Sequence, residues 1–318
     1  MQSEQDTLSF QGQRHPLMHI DQFFSLEDYC LRLMHLSAYE EVAKMARDKK
    51  VLEIGCNTGY GTKLLSRVCR RIIGVDLSAN ALKVAAVEYS GENVDYLLVD
   101  GLKLPFADGE FELIISFQVI EHVSNYNTYL SELKRVLAAD GMAIFTTPNA
   151  RVRLDPGMKP WNEFHIREFS AEDLSQLLRD WFPSVEIQGL SASEDVYNVE
   201  YGRVQRNLRE ARRNSQTLLP SYSNVRSRIV SAAKSLLPDP AVERIRKIVR
   251  SRRKEGVPPP VLRQLDPSIL KRYSTKDFFY RADNLDSVLD LMAICSMRTA
   301  ETDNSTSSRL RKKAFMCV

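Results

Sequence analysis

The first 200 residues of the chain show two alternating patterns of apolar and polar positions. Short apolar runs have the length and composition of buried strands, at residues 51–54, 71–75, 94–99, 112–117, 142–147 and 185–191. Apolar side chains at helical spacing lie between them, at residues 60–69, 78–89, 125–137 and 171–181. Strands that alternate with helices at this pitch predict an α/β fold, with a doubly wound and mostly parallel sheet.

Both flanks of this pattern contain further elements. Residues 25–47 predict an amphipathic helix, with Ser25 as its cap and Asp28 three residues on. Residues 289–295 form a compact apolar run that favours a strand, although residues 285–294 also fit a helical period. Residues 1–24 and 299–318 are expected to form an irregular arm and a loose tail.

Charge is distributed unevenly along the chain. The net charge is only +3, but residues 201–256 hold 15 Lys and Arg against 4 Asp and Glu. Helical runs are predicted here at residues 199–218, 225–236 and 241–254, and Pro220, Pro238 and Pro240 separate them. A basic helical insertion before the last strand is therefore expected. The predicted division is an arm and helix at 1–48, a core at 49–198, the insertion at 199–270, a return to the core at 271–298 and a tail at 299–318.

Cysteine usage and hydropathy limit the class of protein. The five cysteines are scattered and contain no Cys-x-x-Cys pair, so neither a disulfide framework nor a zinc site is predicted. No run of 18 apolar residues is present, and the N-terminal residues lack the apolar core of a leader. A cytoplasmic protein is expected, with peripheral contact to the inner face of the cell membrane as a further expectation.

A glycine-rich turn follows the first strand, and a carboxylate ends the second. Gly55, Gly59 and Gly61 allow backbone to approach a ligand closely, and Asp76 can accept hydrogen bonds from ribose hydroxyls. Because parallel strands end at one edge of a sheet, both features face one crevice. The spacing differs from Gly-x-Gly-x-x-Gly. Glu53 would repel a pyrophosphate, so the turn suits a ligand with an ammonium group.

Residues 51–61 resemble motif I of class I S-adenosylmethionine-dependent methyltransferases. Asn57 replaces the usual second glycine, and asparagine tolerates left-handed backbone better than other side chains. The resemblance implies S-adenosylmethionine as cofactor and a seven-stranded sheet whose last strand, residues 289–295, is antiparallel. The cofactor-binding residues that it implies are Glu53, Gly55, Cys56, Asn57, Gly59, Gly61, Asp76, Leu77, Asp100, Gly101, Gln118 and Val119.

Roles within this set differ. The resemblance implies that Asp76 binds the ribose, that Asp100 accepts the adenine amino group and that Gly101 backs the ring. Gln118 and Val119 would line the methionine arm. For Asp100 the alternative is a carboxylate that caps a turn.

Two histidines are candidates for catalysis. His165 lies in the loop after the fifth strand and can act as general base for a hydroxyl acceptor. The alternative is a structural histidine that holds Glu163 or a backbone carbonyl. His122 follows the fourth strand, where the alternative role is stabilisation of the next helix start. No cluster of metal ligands is apparent in the sequence, and no metal is predicted.

The acceptor is predicted from weaker motifs. The fourth strand lacks the Pro-Pro-Tyr or Pro-Pro-Phe segment of nucleic-acid amino-methylating enzymes, which argues against a nucleic-acid acceptor. Residues 147–149, residues 164–169 and the basic insertion resemble bacterial methyltransferases of surface polysaccharide or lipid-linked glycan synthesis. That resemblance implies methyl transfer to a sugar hydroxyl. The alternatives are a small-molecule acceptor such as a quinone, and a cofactor-binding module without catalysis.

The basic insertion has three interpretations. Apolar and basic residues in residues 225–254 predict helices that lie on an anionic membrane surface. Phosphate contacts to RNA are the second interpretation, although few aromatic residues are present for base stacking. A solvated helical cap over the active site is the third.

Overall fold

Eight strands form one sheet in the computed structural model of the protein, which describes residues 25–216 and 266–298 together with Leu17 and Phe23. The order is β3-β2-β1-β4-β5-β8-β6-β7. The strands are β1 (Lys50–Ile54), β2 (Arg71–Asp76), β3 (Val94–Leu98), β4 (Phe111–Phe117), β5 (Leu137–Pro148), β6 (Ser184–Ala192), β7 (Phe278–Arg281) and β8 (Asp290–Ser296). The helices are α1 (Leu26–Ala46), α2 (Tyr60–Leu65), α3 (Ala79–Glu88), α4 (Tyr126–Val136), α5 (Ala150–Arg153), α6 (Ala171–Arg179), α7 (Glu194–Gln216) and α8 (Pro267–Leu270).

The predicted α/β sheet is confirmed, including the direction of its last strand. Strands β1 to β5 pair in parallel, and β8 lies antiparallel between β5 and β6. The helical alternative for residues 285–294 is wrong, because only Leu285–Ser287 forms a short 3₁₀ turn before the strand begins. The order of strands reverses between β1 and β4, which is the point where open α/β sheets bind ligands.

The sheet has one strand more than predicted. Phe278–Arg281 pairs antiparallel with β6 and forms an edge of the sheet. Phe278 is buried there while Phe279 is 49% exposed, as expected for an edge strand with one covered face. The four-residue run was too short for its alternation to be recognised in the sequence.

Strand β5 also begins earlier than predicted. Asp140 and Gly141 lie inside the strand instead of forming a turn before it. Phe111 pairs with Leu137 and Leu113 pairs with Met142. An advance of two residues along β4 therefore corresponds to an advance of five residues along β5. The Asp-Gly pair is therefore a bulge within a ladder that continues on both sides.

Side-chain caps fix the helix starts. Ser25, Ser78, Asn125 and Ser170 each accept a hydrogen bond from the backbone N–H three residues later. Ser25 and its partner Asp28 confirm the predicted start of α1.

Apolar side chains fill both faces of the sheet. On one face α4 and α6 pack around Phe111, Phe145 and Phe182. On the other, α1 and α2 pack through Val42 and Leu65 against β1 and β4. The helices therefore hold the carboxyl ends of the parallel strands at one shared edge.

Much of the basic insertion lies outside the described residues, including the predicted helices at 225–236 and 241–254. The predicted helix at 199–218 belongs to α7, which begins earlier, at Glu194. Within the described part of the chain, no helix combines the length and apolar character of a membrane span.

Gly61 is expected to be intolerant of any side chain. A Cβ at this position would fall on the ring of Tyr39, and that ring cannot retreat easily because its hydroxyl is bonded to Glu53. Gly61→Ala should lower the free energy of unfolding by about 1–3 kcal/mol through overpacking. Urea unfolding followed by circular dichroism measures the change.

Gly202 provides the matched control. It lies in helix α7, and a Cβ there has its nearest neighbour at 3.9 Å. Gly202→Ala should therefore raise the free energy of unfolding by roughly 0.5–1 kcal/mol. Equal effects at both glycines would contradict the packing role assigned to Gly61.

Candidate active site

The glycine-rich turn after β1 has left-handed backbone at three positions. The φ angles are +71° at Gly55, +46° at Asn57 and +82° at Gly59. The left-handed conformation expected for Asn57 is thus present. A Cβ at Gly55 would lie 2.6 Å from Cγ2 of Val119. The backbone of β1 and the segment after β4 can therefore approach each other only with glycine at this position.

Asp76 fixes this turn from the end of β2. Its Oδ2 accepts a hydrogen bond from the backbone N–H of Asn57 at 2.8 Å, and its Oδ1 accepts one from Ser78 at 2.8 Å. One carboxylate thus connects the turn after β1 to the start of α3. The two strand ends face one crevice, as the sequence predicted.

A cleft opens at this edge of the sheet. Seven of the residues predicted to bind the cofactor line it: Gly55, Asn57, Asp76, Leu77, Gly101, Gln118 and Val119. His122 and Phe164 line the same cleft. Asp100 does not line it, and its exposed side chain caps a turn by accepting hydrogen bonds from the N–H groups of Leu102 and Lys103 at 2.9 and 3.2 Å.

Three other predicted residues lie beneath the turn. Glu53 is 1% exposed, and its two oxygens accept hydrogen bonds from Tyr39 Oη at 2.6 Å and Thr62 Oγ1 at 2.5 Å. Burial raises the pKa of this carboxyl group to about 7. Gly59 packs against Tyr96 and Gly61 against Tyr39, so neither lines the cleft. These residues shape the turn from behind.

A second cavity adjoins the cleft. Gly55, Asn57 and Gln118 line both spaces, and Cys56 lines the second. Its other walls come from α1, α2, β4, β5, β6, β7 and β8, and include His35, Tyr39, Tyr60, Phe117, Thr146, Tyr280 and Asp290. The second cavity is therefore both aromatic and polar.

Gln118 separates the two spaces. Its φ is +57°, and its Nε2 donates hydrogen bonds to Asp290 Oδ2 at 2.8 Å and Thr146 Oγ1 at 3.3 Å. Burial raises the pKa of Asp290 to about 7. A carboxyl group with that pKa can accept a proton at neutral pH. Asp290 was not predicted from the sequence, because it lies in a strand 172 residues beyond Gln118.

The two candidate histidines form one cluster. Their ring centres lie 4.9 Å apart with the planes at 86°. His122 Nδ1 lies 2.8 Å from the carbonyl oxygen of Phe164, and His165 Nδ1 lies 2.7 Å from Glu168 Oε1. The side chain of His165 is 7% exposed and does not line either cavity. His165 holds Glu168, not Glu163.

The backbone carbonyl of Glu121 connects the loop after β4 to the loop after β5. The N–H groups of Ile166 and Arg167 both point to the carbonyl oxygen of Glu121, at 2.7 and 3.3 Å. Glu168 binds Arg153 through two hydrogen bonds of 2.8 and 3.0 Å, which anchors the far end of the second loop. Both loops are therefore held in fixed register at the edge of the cleft.

Arg32 is a residue that sequence reasoning missed. The residue is 3% exposed, and none of its three guanidinium nitrogens has a hydrogen-bond partner among the described residues. The guanidinium lies 3.4 Å above the ring centre of Tyr60, the first residue of α2. A buried donor without a partner is costly, so this position is suited to an anionic ligand group.

The part of the chain that carries this site is similar to known proteins. Residues 52–145 match the model of the family described as "Methyltransferase domain". The chain is 36% identical over 167 residues to a probable S-adenosylmethionine-dependent methyltransferase of Mycobacterium tuberculosis. It is 33% identical over 108 residues to the ubiquinone biosynthesis O-methyltransferase of Thiobacillus denitrificans, over 33% of this chain and 47% of that protein. The crystal structure of the YcgJ protein from Bacillus subtilis aligns with 83% of this chain and 99% of its own, at 18% identity and a TM-score of 0.44.

These matches cover part of each protein. The mycobacterial alignment takes in 52% of this chain and 60% of the relative. The chain thus spans less than two thirds of that relative's length.

The residues present fit S-adenosylmethionine. Gly55 leaves space that a Cβ would fill, and Asp76 lines the cleft with a carboxylate that can accept hydrogen bonds from ribose hydroxyls. Arg32 lines neither the cleft nor the second cavity, so this fit rests on Gly55 and Asp76. Residues 52–145 of this chain match a methyltransferase domain, and the mycobacterial relative is named as a probable S-adenosylmethionine-dependent methyltransferase.

Proposed function

We propose that the protein is an S-adenosylmethionine-dependent methyltransferase that methylates a sugar hydroxyl in a glycan or lipid-linked saccharide precursor. The observation that carries this proposal is the second cavity, which meets the cofactor cleft at Gly55, Asn57 and Gln118. An acceptor in that cavity lies next to the end of the cleft where a methionine arm would run.

The lining of the second cavity supports a polyol acceptor. Phe117 and Tyr280 offer flat apolar faces, while His35, Thr146 and Asp290 offer hydrogen-bonding groups. A sugar ring presents one apolar face and several hydroxyls, so it requires both kinds of contact. A site built to bind hydroxyls discriminates strongly against analogues that lack them.

Methyl transfer needs few groups from the protein. The bound cofactor supplies a sulfonium methyl group that is already activated. The turn, Asp76 and Gln118 orient the reactants, and orientation with exclusion of water accounts for much of the acceleration. As the acceptor oxygen forms its new bond to carbon and the bond to sulfur breaks, the hydroxyl proton must leave. Asp290 is placed to take it.

A quinone-type small molecule is the second candidate acceptor. One relative is named for ubiquinone biosynthesis, and the aromatic side chains of Tyr39, Tyr60, Phe117 and Tyr280 also favour a flat ring. The predicted membrane contact of residues 225–254 is compatible with either lipid-linked acceptor. It stays a prediction, because those residues lie outside the described ones.

Labelled methyl transfer tests the proposal. The purified protein is incubated with methyl-labelled S-adenosylmethionine and with separate fractions of nucleotide sugars, lipid-linked saccharides and quinones. Label is expected in a saccharide fraction. Label confined to quinones would favour the second candidate, and no label in any fraction would contradict methyl transfer to these acceptors.

The role of Asp290 is tested on the same assay. Asp290→Asn should lower kcat by about 10²-fold or more, as expected for loss of a general base. Calorimetry with S-adenosylhomocysteine should show unchanged affinity for the cofactor product. His165→Ala is the comparison for the base predicted from the sequence, and an unchanged kcat in Asp290→Asn would remove Asp290 from this role.

A further inference from the structure

Three ligand-type side chains converge where the loops after β4 and β5 meet. Glu121, His122 and His165 each contribute one carboxylate oxygen or ring nitrogen, and these atoms lie within 4.8 Å of one another. His122 and His165 are 43 residues apart in sequence, so no local motif brings them together. Two imidazoles and a carboxylate are a common ligand set for divalent first-row transition metals.

Each of the three side chains is held by a second layer of hydrogen bonds. The carbonyl of Phe164 can only accept, so His122 Nδ1 donates this bond, and Nε2 is the ring nitrogen that would bind a metal. His165 Nδ1 likewise donates to the carboxylate of Glu168. Glu121 Oε2 accepts from Thr147 Oγ1 at 3.0 Å. Metal-binding histidines characteristically donate their other N–H to a carbonyl or carboxylate in this way.

The second carboxylate oxygen of Glu121, Oε1, independently indicates a ligand site. Glu121 is 0% exposed, and its Oε1 has no hydrogen-bond partner among the described residues. Leaving a buried polar atom without a partner is costly. A bound cation would satisfy this oxygen without any change to the bond between Oε2 and Thr147.

One existing contact would have to change. Asn162 Nδ2 donates to His165 Nε2 at 2.9 Å, while its Oδ1 accepts from the N–H of Phe164 at 3.1 Å. A metal on Nε2 replaces the bond from Asn162. The exchange is local because Glu168 continues to hold the ring from Nδ1.

We propose that Glu121, His122 and His165 bind one divalent first-row transition-metal ion, such as Mn²⁺, Co²⁺ or Zn²⁺, beside the cofactor cleft. His122 lines that cleft, and Glu121 lies three residues beyond Gln118. Three protein ligands leave coordination positions open for a small molecule, as in catalytic metal sites. This site was not predicted from the sequence.

The proposed function gives the open positions a role. On that function, which this role depends on, the acceptor extends from the second cavity past Gln118 into the cleft that His122 lines, where its hydroxyl binds the ion through oxygen and gives up its proton more readily. The oxygen then forms its bond to the methyl carbon as the carbon–sulfur bond breaks, and the electron pair of that bond returns to sulfur. The proton passes to Asp290 or to solvent.

Metal binding is tested without the methyl-transfer reaction. Chelator-treated protein is titrated with Mn²⁺ while electron paramagnetic resonance reports the free ion, and Co²⁺ binding is followed by its visible absorption. The wild type is expected to bind one equivalent. Glu121→Gln and His165→Gln should each weaken binding by at least about tenfold, the effect seen even for second-layer partners.

Matched controls come from the same loop and from α1. Glu163→Gln removes an exposed carboxylate from the loop, and His35→Gln removes a histidine from the second cavity. Both should bind the ions as the wild type does. Calorimetry with S-adenosylhomocysteine verifies that each variant retains a folded cofactor cleft.

The outcomes separate the metal site from the proposed function. No stoichiometric binding of Mn²⁺, Co²⁺ or Zn²⁺ by the wild type would overturn the site. Equal binding by the wild type and folded Glu121→Gln and His165→Gln would do so too. Metal binding lost in these two variants supports the site even where no acceptor gains label. Methyl transfer that proceeds equally in chelator-treated and metal-loaded protein would overturn the role given to the ion.

Discussion

Asp76→Ala is expected to weaken binding of S-adenosylhomocysteine by about 10²- to 10⁴-fold, because two hydrogen bonds to a charged group are each worth about 1.5–3 kcal/mol. The carboxylate lines the cleft and also holds the backbone N–H groups of Asn57 and Ser78 at 2.8 Å. The substitution therefore removes a ribose acceptor and loosens the turn that contacts the rest of the ligand. Isothermal titration calorimetry measures the change directly.

Asp95→Ala is the matched control for Asp76. Asp95 lies on the neighbouring strand β3, pairs with Arg71 through an exposed side chain and does not line the cleft. Its removal should leave the affinity for S-adenosylhomocysteine unchanged. If Asp76→Ala bound the ligand as tightly as the wild type, the cofactor site would have to lie elsewhere.

Arg32→Met is expected to weaken S-adenosylhomocysteine binding by about 10–100-fold, the value of a charge-assisted hydrogen bond of roughly 1.5–3 kcal/mol. The guanidinium is buried over the ring of Tyr60 and has no hydrogen-bond partner among the described residues, so a ligand carboxylate that reached it would be its first partner there. Methylthioadenosine lacks the amino acid part of the ligand. Its affinity should be the same in Arg32→Met and in the wild type.

Arg32→Met is not expected to lower the thermal stability of the ligand-free protein. Methionine fills a similar volume without a charge, so it removes an unsatisfied buried cation. Thermal unfolding of Arg32→Met without ligand should begin no earlier than in the wild type. Equal loss of affinity for both ligands would assign Arg32 to packing alone.

The parallel half of the sheet is predictable because its determinants are local. Its strands are apolar runs, of which β1 and β2 end at a glycine or a carboxylate, and α1 and α3 begin at the capping residues Ser25 and Ser78. The glycine-rich turn and Asp76 could be placed together because the ends of parallel strands share one edge.

The features that the sequence did not reveal depend on contacts between distant segments. Arg32 and Tyr39 reach the turn only because α1 packs across α2, and Asp290 reaches Gln118 only because β8 inserts beside β5. The bulge at Asp140 could not be seen because its residues resemble an ordinary Asp-Gly turn. Periodicity describes one element at a time, and these positions are defined by pairs of elements.

The carbonyl of Glu121 has a consequence for how the ligand preferences of this protein can diverge. It accepts hydrogen bonds from the N–H groups of Ile166 and Arg167 in the loop after β5. It also belongs to the segment that carries Gln118 and Val119. A substitution that reshapes that loop to admit a different molecule will therefore shift the segment against which the cofactor packs. A change in that loop is therefore expected to alter acceptor selectivity and cofactor binding at the same time. Variants that change acceptor selectivity alone should carry substitutions in β7 and β8, which line the second cavity.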